Sequence, residues 1–455
     1  MIRLDRTRSA RELLPAISHL FELSGKKIKS IEETWQPEAG APVFTVQGRY
    51  QSRGWTEWTQ GFQFGSALLQ FDATGDPTFL ELGRSRTLKC MAPHLTHTGV
   101  HDHGFNNVST YGNLWRLVRE GRFRAEPHEQ RLYELALAVS GAVQAGRWTP
   151  LPTGGFIYSF NGAHSLFVDT IRTLRALLLA HLLGHSLCEE QDARVDLEQR
   201  AVQHALTTAA YSIYFGRGRD AYDVRGRTAH ESLFNAANGT YRGPGTQQGY
   251  SPFSTWSRGL SWAMLGFAEL IEFFDAHGSI DTAQRDLLYE AATAASDFYI
   301  AHAAAADGVP YWDTGAPGLA SMTGWETRAA APHNDFEPVD SSAAAIAAQA
   351  LMRLGRAAAA RGDDGSRYEQ AGLLVLETLI NPDGVYLSTH ANHQGLLLHS
   401  LYHRPNGWDY VPSGSRVPNG ESSMWGDYHL REAALYVKRI AEGAPYLTFF
   451  GSRTQ

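Results

Sequence analysis

Asp340-Ser341-Ser342-Ala343-Ala344-Ala345-Ile346-Ala347-Ala348-Gln349-Ala350-Leu351-Met352-Arg353-Leu354-Gly355-Arg356-Ala357-Ala358-Ala359-Ala360-Arg361 is an apolar pattern of helix length. It belongs to a series. Comparable patterns run over residues 131–145, 166–184, 196–214, 258–276, 281–302, 368–380 and 423–440, with polar, Gly- or Pro-bearing loops between them. Residues 9–24 carry Leu13, Ile17, Leu20 and Phe21 at helical spacing, which predicts a further helix kinked or begun at Pro15, then a loop through Trp35-Gln36-Pro37. Strand signals are sparse; Phe44-Thr45-Val46-Gln47 and Gly384-Val385-Tyr386-Leu387 are the best. The chain therefore reads as all-α. Without a low-complexity linker or a hinge, long helices spread evenly favour one closed array of paired helices whose loops meet at one mouth. An open α-solenoid would carry a fixed repeat, and the sequence has none.

The 455 residues suffice for two or three ordinary domains or one large closed architecture. Hydrophobic residues at 43% and charged residues at 19% are those of a globular enzyme, and 11% aromatic is on the rich side. Net charge is −7 with no basic run, which argues against a nucleic-acid partner. Cys90 and Cys188 stand far apart without metal-ligand spacing, against a disulfide framework or a zinc site and in keeping with a reducing compartment. Met1-Ile2-Arg3-Leu4-Asp5-Arg6 has no apolar signal region, and apolar runs fall short of a membrane span, so a cytoplasmic protein is expected.

Candidate chemistry clusters first in Val100-His101-Asp102-His103-Gly104-Phe105-Asn106-Asn107, after Thr96-His97-Thr98. Ionisable groups gathered out of water must be paired or hydrogen-bonded, so the stretch suits the rim of an active site. If it were a strand, His101 and His103 would share a side and could ligate a metal with His94 or His97 nearby; no HExxH supports that. Asp169 follows a Gly/Asn/aromatic loop and enters the predicted helix behind Leu166, Phe167 and Val168. Desolvation there would raise its pKa toward that of a general acid; the alternative is a helix-start aspartate paired with Arg172. Arg258 and Trp262, at i and i+4, share a helix face and could pair a carboxylate anchor with a stacking surface, or form a structural Arg–Trp contact. Trp55 and Trp58 introduce another helix, suited either to stacking on a sugar or to the core. His230 could meet sugar hydroxyls or be a plain loop histidine.

Taken in order, Trp58-x2-Gly61-Phe62-x2-Gly65, Thr74-Gly75-Asp76, His101-Asp102-x-Gly104-Phe105, the helical Asp169, Gln248-Gly249-Tyr250 and Trp256-x-Arg258-Gly259-x2-Trp262 resemble the unsaturated glucuronyl hydrolases, glycoside hydrolase family 88. Val309-Pro310-Tyr311-Trp312-Asp313, Asp340-Ser341-Ser342-Ala343-Ala344, Gly395-Leu396-Leu397-Leu398-His399 and Trp425-Gly426-Asp427-Tyr428 extend the likeness over most of the chain from about residue 50. The resemblance implies a single (α/α)6-barrel catalytic domain over 1–455, with 1–50 as an N-terminal extension. It implies hydration of the C4=C5 double bond of a terminal unsaturated uronic acid, after which the hemiketal opens and the glycosidic bond is lost. By that likeness Asp169 protonates C4 and activates water, Asp102 holds sugar hydroxyls, and His101, His230, Gln248, Arg258, Trp262 and Trp58 bind substrate. The expected partner is an unsaturated uronyl oligosaccharide, foremost a disaccharide, with no cofactor or metal, no membrane and no assigned oligomeric state. The related unsaturated rhamnogalacturonyl hydrolases of family 105, and a non-catalytic uronyl-sugar-binding helical protein, are the alternatives. Departures from the pattern fall at His103, at Leu260-Ser261, at Thr170-Ile171-Arg172 and in the loop of Phe156, Tyr158 and Phe160, where a tryptophan is expected. They point to an altered sugar preference, with His103 foremost. Ser413-Gly414-Ser415-Arg416 is either a sulfate- or carboxylate-facing loop or a plain polar one.

Overall fold

A computed structural model describes residues 1–53, 57–278 and 280–451. Trp55, a stacking candidate, lies outside them. Among the described residues the helices are α1 (Leu14–Thr34), α2 (Gln60–Thr74), α3 (Pro77–Cys90), α4 (Ala92–Leu95), α5 (His103–Asn107), α6 (Asn113–Arg119), α7 (Pro127–Ala145), α8 (Thr170–Thr173), α9 (Arg175–Leu182), α10 (Leu197–Ser212), α11 (Ser257–His277), α12 (Thr282–Phe298), α13 (Ser341–Arg361), α14 (Ser366–Ile380) and α15 (Met424–Glu442). Their termini follow from local chemistry. Asp340 and Ser423 accept from backbone N–H groups of the first turns of α13 and α15, and Asp281 with Gln284 forms a capping box on α12. Gly362 and Gly443 end α13 and α15 in the left-handed conformation.

The packing closes on itself. An inner ring runs from α2 to α5–α6, then α8–α9, α11, α13, α15 and back to α2, while α1, α3, α7, α10, α12 and α14 each pack outside it. The fold is an (α/α)6 barrel. α13, the Ala-rich helix, is buried on nearly all sides, as its place between α11, α14 and α15 requires. Residues before 50 lie on the barrel as well: α1 packs on α2 and α15, and buried Lys27 donates to the backbone carbonyls of His390 and His393. No helix among the described residues is long and apolar enough to cross a membrane.

Two local expectations need correction. Residues 165–167 form a strand that pairs with Glu231–Phe234, so the helical segment begins at Thr170 and not at Leu166; the apolar run is buried on both faces of a small sheet. Residues 384–387 make only one bridge, Leu387 with Leu397, because a turn at Asn381–Gly384 leads straight into a loop.

Candidate active site

The N-terminal ends of the inner helices point to one mouth, where a pocket opens. Its acidic wall is built from turns. Asp102 is the N-cap of α5 and Asp169 that of α8, and both carboxylates are buried. Glycine brings those turns together: a Cβ on Gly104 would stand 2.4 Å from the carbonyl oxygen of Thr173, and one on Gly61 would stand 2.3 Å from that of Asn106. Only glycine permits such approach without displacement.

His101 lies between the two acids. Its Nε2 is 3.8 Å from Asp102 Oδ1 and 3.8 Å from Asp169 Oδ1, ion-pair distances too long for hydrogen bonds. Both imidazole nitrogens and Asp169 Oδ1 are buried without hydrogen-bond partners. Phe160 stacks on the imidazole, with ring centroids 5.9 Å apart, and Phe167 meets its edge. Burial pushes the Asp102 pKa up, reinforced by the Asp169 charge, and the result stays above the usual carboxylate range despite His101 and Arg147. For Asp169 burial also acts upward, but the His101 imidazole outweighs it and holds the carboxyl below its ordinary value. Burial works against charge on His101, while the two aspartates win and raise its pKa. The expectation of a raised pKa on Asp169 is thus corrected. The run Leu166, Phe167 and Val168 before it is buried, with 165–167 as strand rather than helix, but the His101 imidazole stands beside it. Arg172 does not pair with it either; that guanidinium bonds Glu432 at 3.0 Å and lies 2.9 Å from Glu269.

The opposite wall carries Gln247, Gln248, Trp256 and Arg258. Arg258 is engaged by protein groups on both terminal guanidinium nitrogens. Nη1 donates to Asp340 Oδ2 at 2.7 Å and to the Leu401 carbonyl, while Nη2 donates to the Tyr402 carbonyl at 2.7 Å and to Gln248 Oε1 at 2.9 Å. Its plane lies over Trp256 and Trp425 rather than Trp262. The bond to Oε1 turns the Gln248 amide so that its NH2 end remains to face the pocket. Trp262 is buried against Phe105 and His429 and lines the floor, and Trp58 stacks on Trp425 with centroids 5.0 Å apart at the rim.

His230 stands behind Asp169. Its Nδ1 accepts from the backbone N–H of Gln247 at 3.0 Å, so the proton sits on Nε2, which is buried with no partner. Burial pushes its pKa down to about 4, making it a neutral donor. His103 is corrected outright. The segment is a helix start and not a strand, so the two imidazoles diverge; His103 Nδ1 lies 3.1 Å from Ser140 Oγ and Nε2 3.0 Å from the His97 carbonyl, away from the pocket. Of the three aromatics before Asp169, Phe160 reaches the pocket, whereas Phe156 joins a separate small cluster and Tyr158 lies under Arg147. Arg416 is exposed and does not line the pocket.

Sequence reasoning missed Tyr402, His403 and Trp408, which form the remaining wall. Asp409 holds them by accepting the backbone N–H groups of Tyr402 and His403. The density of aromatic and imidazole residues in 402–408, just beyond the Gly395–His399 motif, was the available signal. His101, Asp102 and Asp169 also offer ligand atoms within 4.8 Å of one another, close enough to hold a divalent cation.

No family model matches the chain. An unsaturated glucuronyl hydrolase of Bacillus sp. strain GL1 is 26% identical over 400 residues, covering 86% of this chain and 89% of that protein. An unsaturated chondroitin disaccharide hydrolase of Streptococcus pyogenes serotype M1 is 25% identical over 431 residues, or 92% of this chain and 90% of its own. This chain resembles the unsaturated glucuronyl hydrolases. The crystal structure of the Bacillus sp. GL1 enzyme agrees in fold, with a TM-score of 0.71 at 21% identity across 97% of this chain and 99% of that one. The barrel of the unsaturated glucuronyl hydrolases is thus the frame on which the His101–Asp102–Asp169 wall is mounted.

Proposed function

We propose that this protein is a glycoside hydrolase that hydrates the C4=C5 vinyl ether of a terminal unsaturated uronic acid and so releases it from lyase-generated oligosaccharides. The observation that carries the reading is one imidazole, His101, placed 3.8 Å from each of two buried carboxylates in an aromatic pocket. Inner-helix N-termini converge there, and their partial positive charge suits an anionic sugar. Arg258 acts in binding through Gln248, whose amide it orients so that its NH2 is a neutral donor to sugar oxygens, while His230, behind Asp169 and outside the pocket lining, acts by holding the Gln247–Gln248 backbone through Nδ1. Trp58 and Trp262 bound the ring faces.

In this mechanism the arriving uronate adds a negative charge beside Asp169. A like charge raises a carboxyl pKa, so Asp169 takes up the proton that His101 and Asp102 hold in the free site. It then delivers the proton to C4, positive charge develops at C5 and the ring oxygen, and the carboxylate regenerated on Asp169 removes a proton from the water that attacks C5. The hemiketal opens and the leaving sugar departs. Asp102 holds hydroxyls and, with its raised pKa, keeps the pair from carrying two full charges. Free Cys90 and Cys188 fit a reducing, cytoplasmic setting.

The test follows loss of the ultraviolet absorbance of the conjugated double bond with unsaturated chondroitin, hyaluronan and pectin-derived disaccharides. Turnover of the first two places the enzyme with the glucuronyl type; turnover of the pectin-derived sugar alone favours the rhamnogalacturonyl type. Asp169→Asn is expected to lower kcat at least about 10³-fold; full turnover would overturn the assignment, and binding without consumption in the wild type favours a sugar-binding protein. The three clustered ligand atoms favour one second reading, metal-assisted hydrolysis. Activity lost to a chelator and restored by a divalent cation would select it.

A further inference from the structure

Arg431, on α15, is only 1% exposed and poorly matched in charge. Its one ion pair among the described residues is with Asp427, 3.9 Å from Nη1, and the Asp427 oxygens already accept from the Leu396 and Leu397 N–H groups and the Tyr50 hydroxyl. Nε donates to Ser24 Oγ at 2.8 Å and Nη1 to Ser66 Oγ at 3.3 Å. Nη2 is buried with no partner. A guanidinium so placed leaves a large desolvation cost unanswered.

It lines a small cavity of about 20 Å³ between α1, α2, α3 and α15, which shares no lining residue with the sugar pocket. The other polar lining points donors inward. Gln63 Oε1 accepts from Gln60 Nε2, which leaves the Gln63 NH2 end unused; Ser66 Oγ accepts from Arg431, which leaves its own hydrogen to give. Glu32 also borders the cavity, but Arg86 answers its charge, with Nε 2.8 Å from Oε1. The rest of the wall is apolar, including Ile28, Ile31, Phe64 and Leu82.

We propose that this cavity is a binding site for a small monovalent anion of the chloride class, held by Arg431 Nη2, the Gln63 amide and the Ser66 hydroxyl. One guanidinium whose ion pair with Asp427 is long, and whose Nη2 has no partner, matches one negative charge. A dianion would leave a second charge among apolar side chains. The ion would tie the outer helix α1 to the inner helices α2 and α15, a role independent of the proposed reaction.

Thermal unfolding of the full chain in sodium chloride, sodium bromide and sodium gluconate at equal ionic strength tests this. Chloride and bromide are expected to raise Tm saturably, by at least about 2 °C over gluconate, and a bromide-soaked crystal is expected to give an anomalous peak at Arg431 Nη2. Gln63→Leu should remove the halide dependence of Tm while leaving the fold and the activity on unsaturated disaccharides intact; this variant stands in if Arg431→Met does not fold. A Tm that follows ionic strength whatever the anion overturns the proposal. So does a bromide peak without any solution effect, which is binding at crystal concentration only.

Discussion

His101 sets the charge of the site, since both neighbouring carboxylates respond to its protonation. Its pKa is raised above 6.5, so it stays charged to higher pH than a free imidazole, and deprotonation there withdraws the shared proton. Activity is therefore expected to fall on an alkaline limb that lies above the ordinary imidazole range, and His101→Gln to abolish that limb while lowering kcat about 10²-fold; a pH–rate profile of both forms checks it. His103 carries the opposite prediction. Because its ring bonds Ser140 and the His97 carbonyl, His103→Gln should leave the ranking of leaving sugars unchanged and cost on the order of 1–2 kcal/mol of stability. Substrate competition and urea unfolding separate the two effects.

At the scale of elements, the distance between the acids is set by how closely α5 approaches α8. Gly104→Ala would force the Thr173 carbonyl back by a few tenths of an ångström or more, carrying Asp102 away from Asp169. The expected result is a kcat at least tenfold lower, with KM changed little and about 1–3 kcal/mol of stability lost, measured by steady-state kinetics and urea unfolding. Beneath the same turn, Arg172 joins α8 to α11 and α15 through Glu269 and Glu432. Burial pushes Glu269 up to about 7, even with arginines beside it. Arg172→Met would leave the two buried glutamates with only the longer contacts to Arg175, at 3.7 and 3.9 Å, and is expected to cost about 3–5 kcal/mol. Adding Glu432→Gln should recover part of that loss, read from denaturant midpoints.

For the whole molecule, acid sensitivity follows from the buried imidazoles. Burial pushes His94, His103, His230, His403 and His429 down to about 4 and His204 and His399 to about 3. In the unfolded chain each binds a proton near 6.5. Their contribution is complete above 6.5 and is lost as pH falls toward 4, on the order of 3 kcal/mol for a fully buried ring such as His429. Asp313 and Asp409, pushed up to about 6, and Glu269 work the other way, since a raised carboxyl favours the folded state as pH falls. Asp102, Glu272, Asp307 and Asp427 are raised as well and act in that same sense. The balance is decided by the large histidine shifts together with the carboxyls of Asp72, Asp169, Asp223 and Glu421, which are held below their ordinary values and lose their pairing in acid. Tm is expected to drop steeply between pH 6.5 and 4, as calorimetry across that range will measure.

The sequence alone determined the helical periodicity, the caps and the ordered motifs, because these are local properties of 3.6-residue spacing and of side chains that bond their own backbone. From them the barrel was legible, as were seven of the fifteen residues that line the pocket: Trp58, His101, Asp102, Asp169, Gln248, Arg258 and Trp262. Only the tertiary structure decided what those residues are free to do. The Arg258 guanidinium is occupied by Asp340 and by the Leu401 and Tyr402 carbonyls, groups far away in sequence. Likewise the wall of Tyr402, His403 and Trp408 exists because Asp409 gathers the loop beside α11, and Asp169 is held ionised because ring closure places His101 3.8 Å from it. Pairing and desolvation depend on distances across the barrel, and those are fixed by the closed packing of its helices rather than by spacing along the chain.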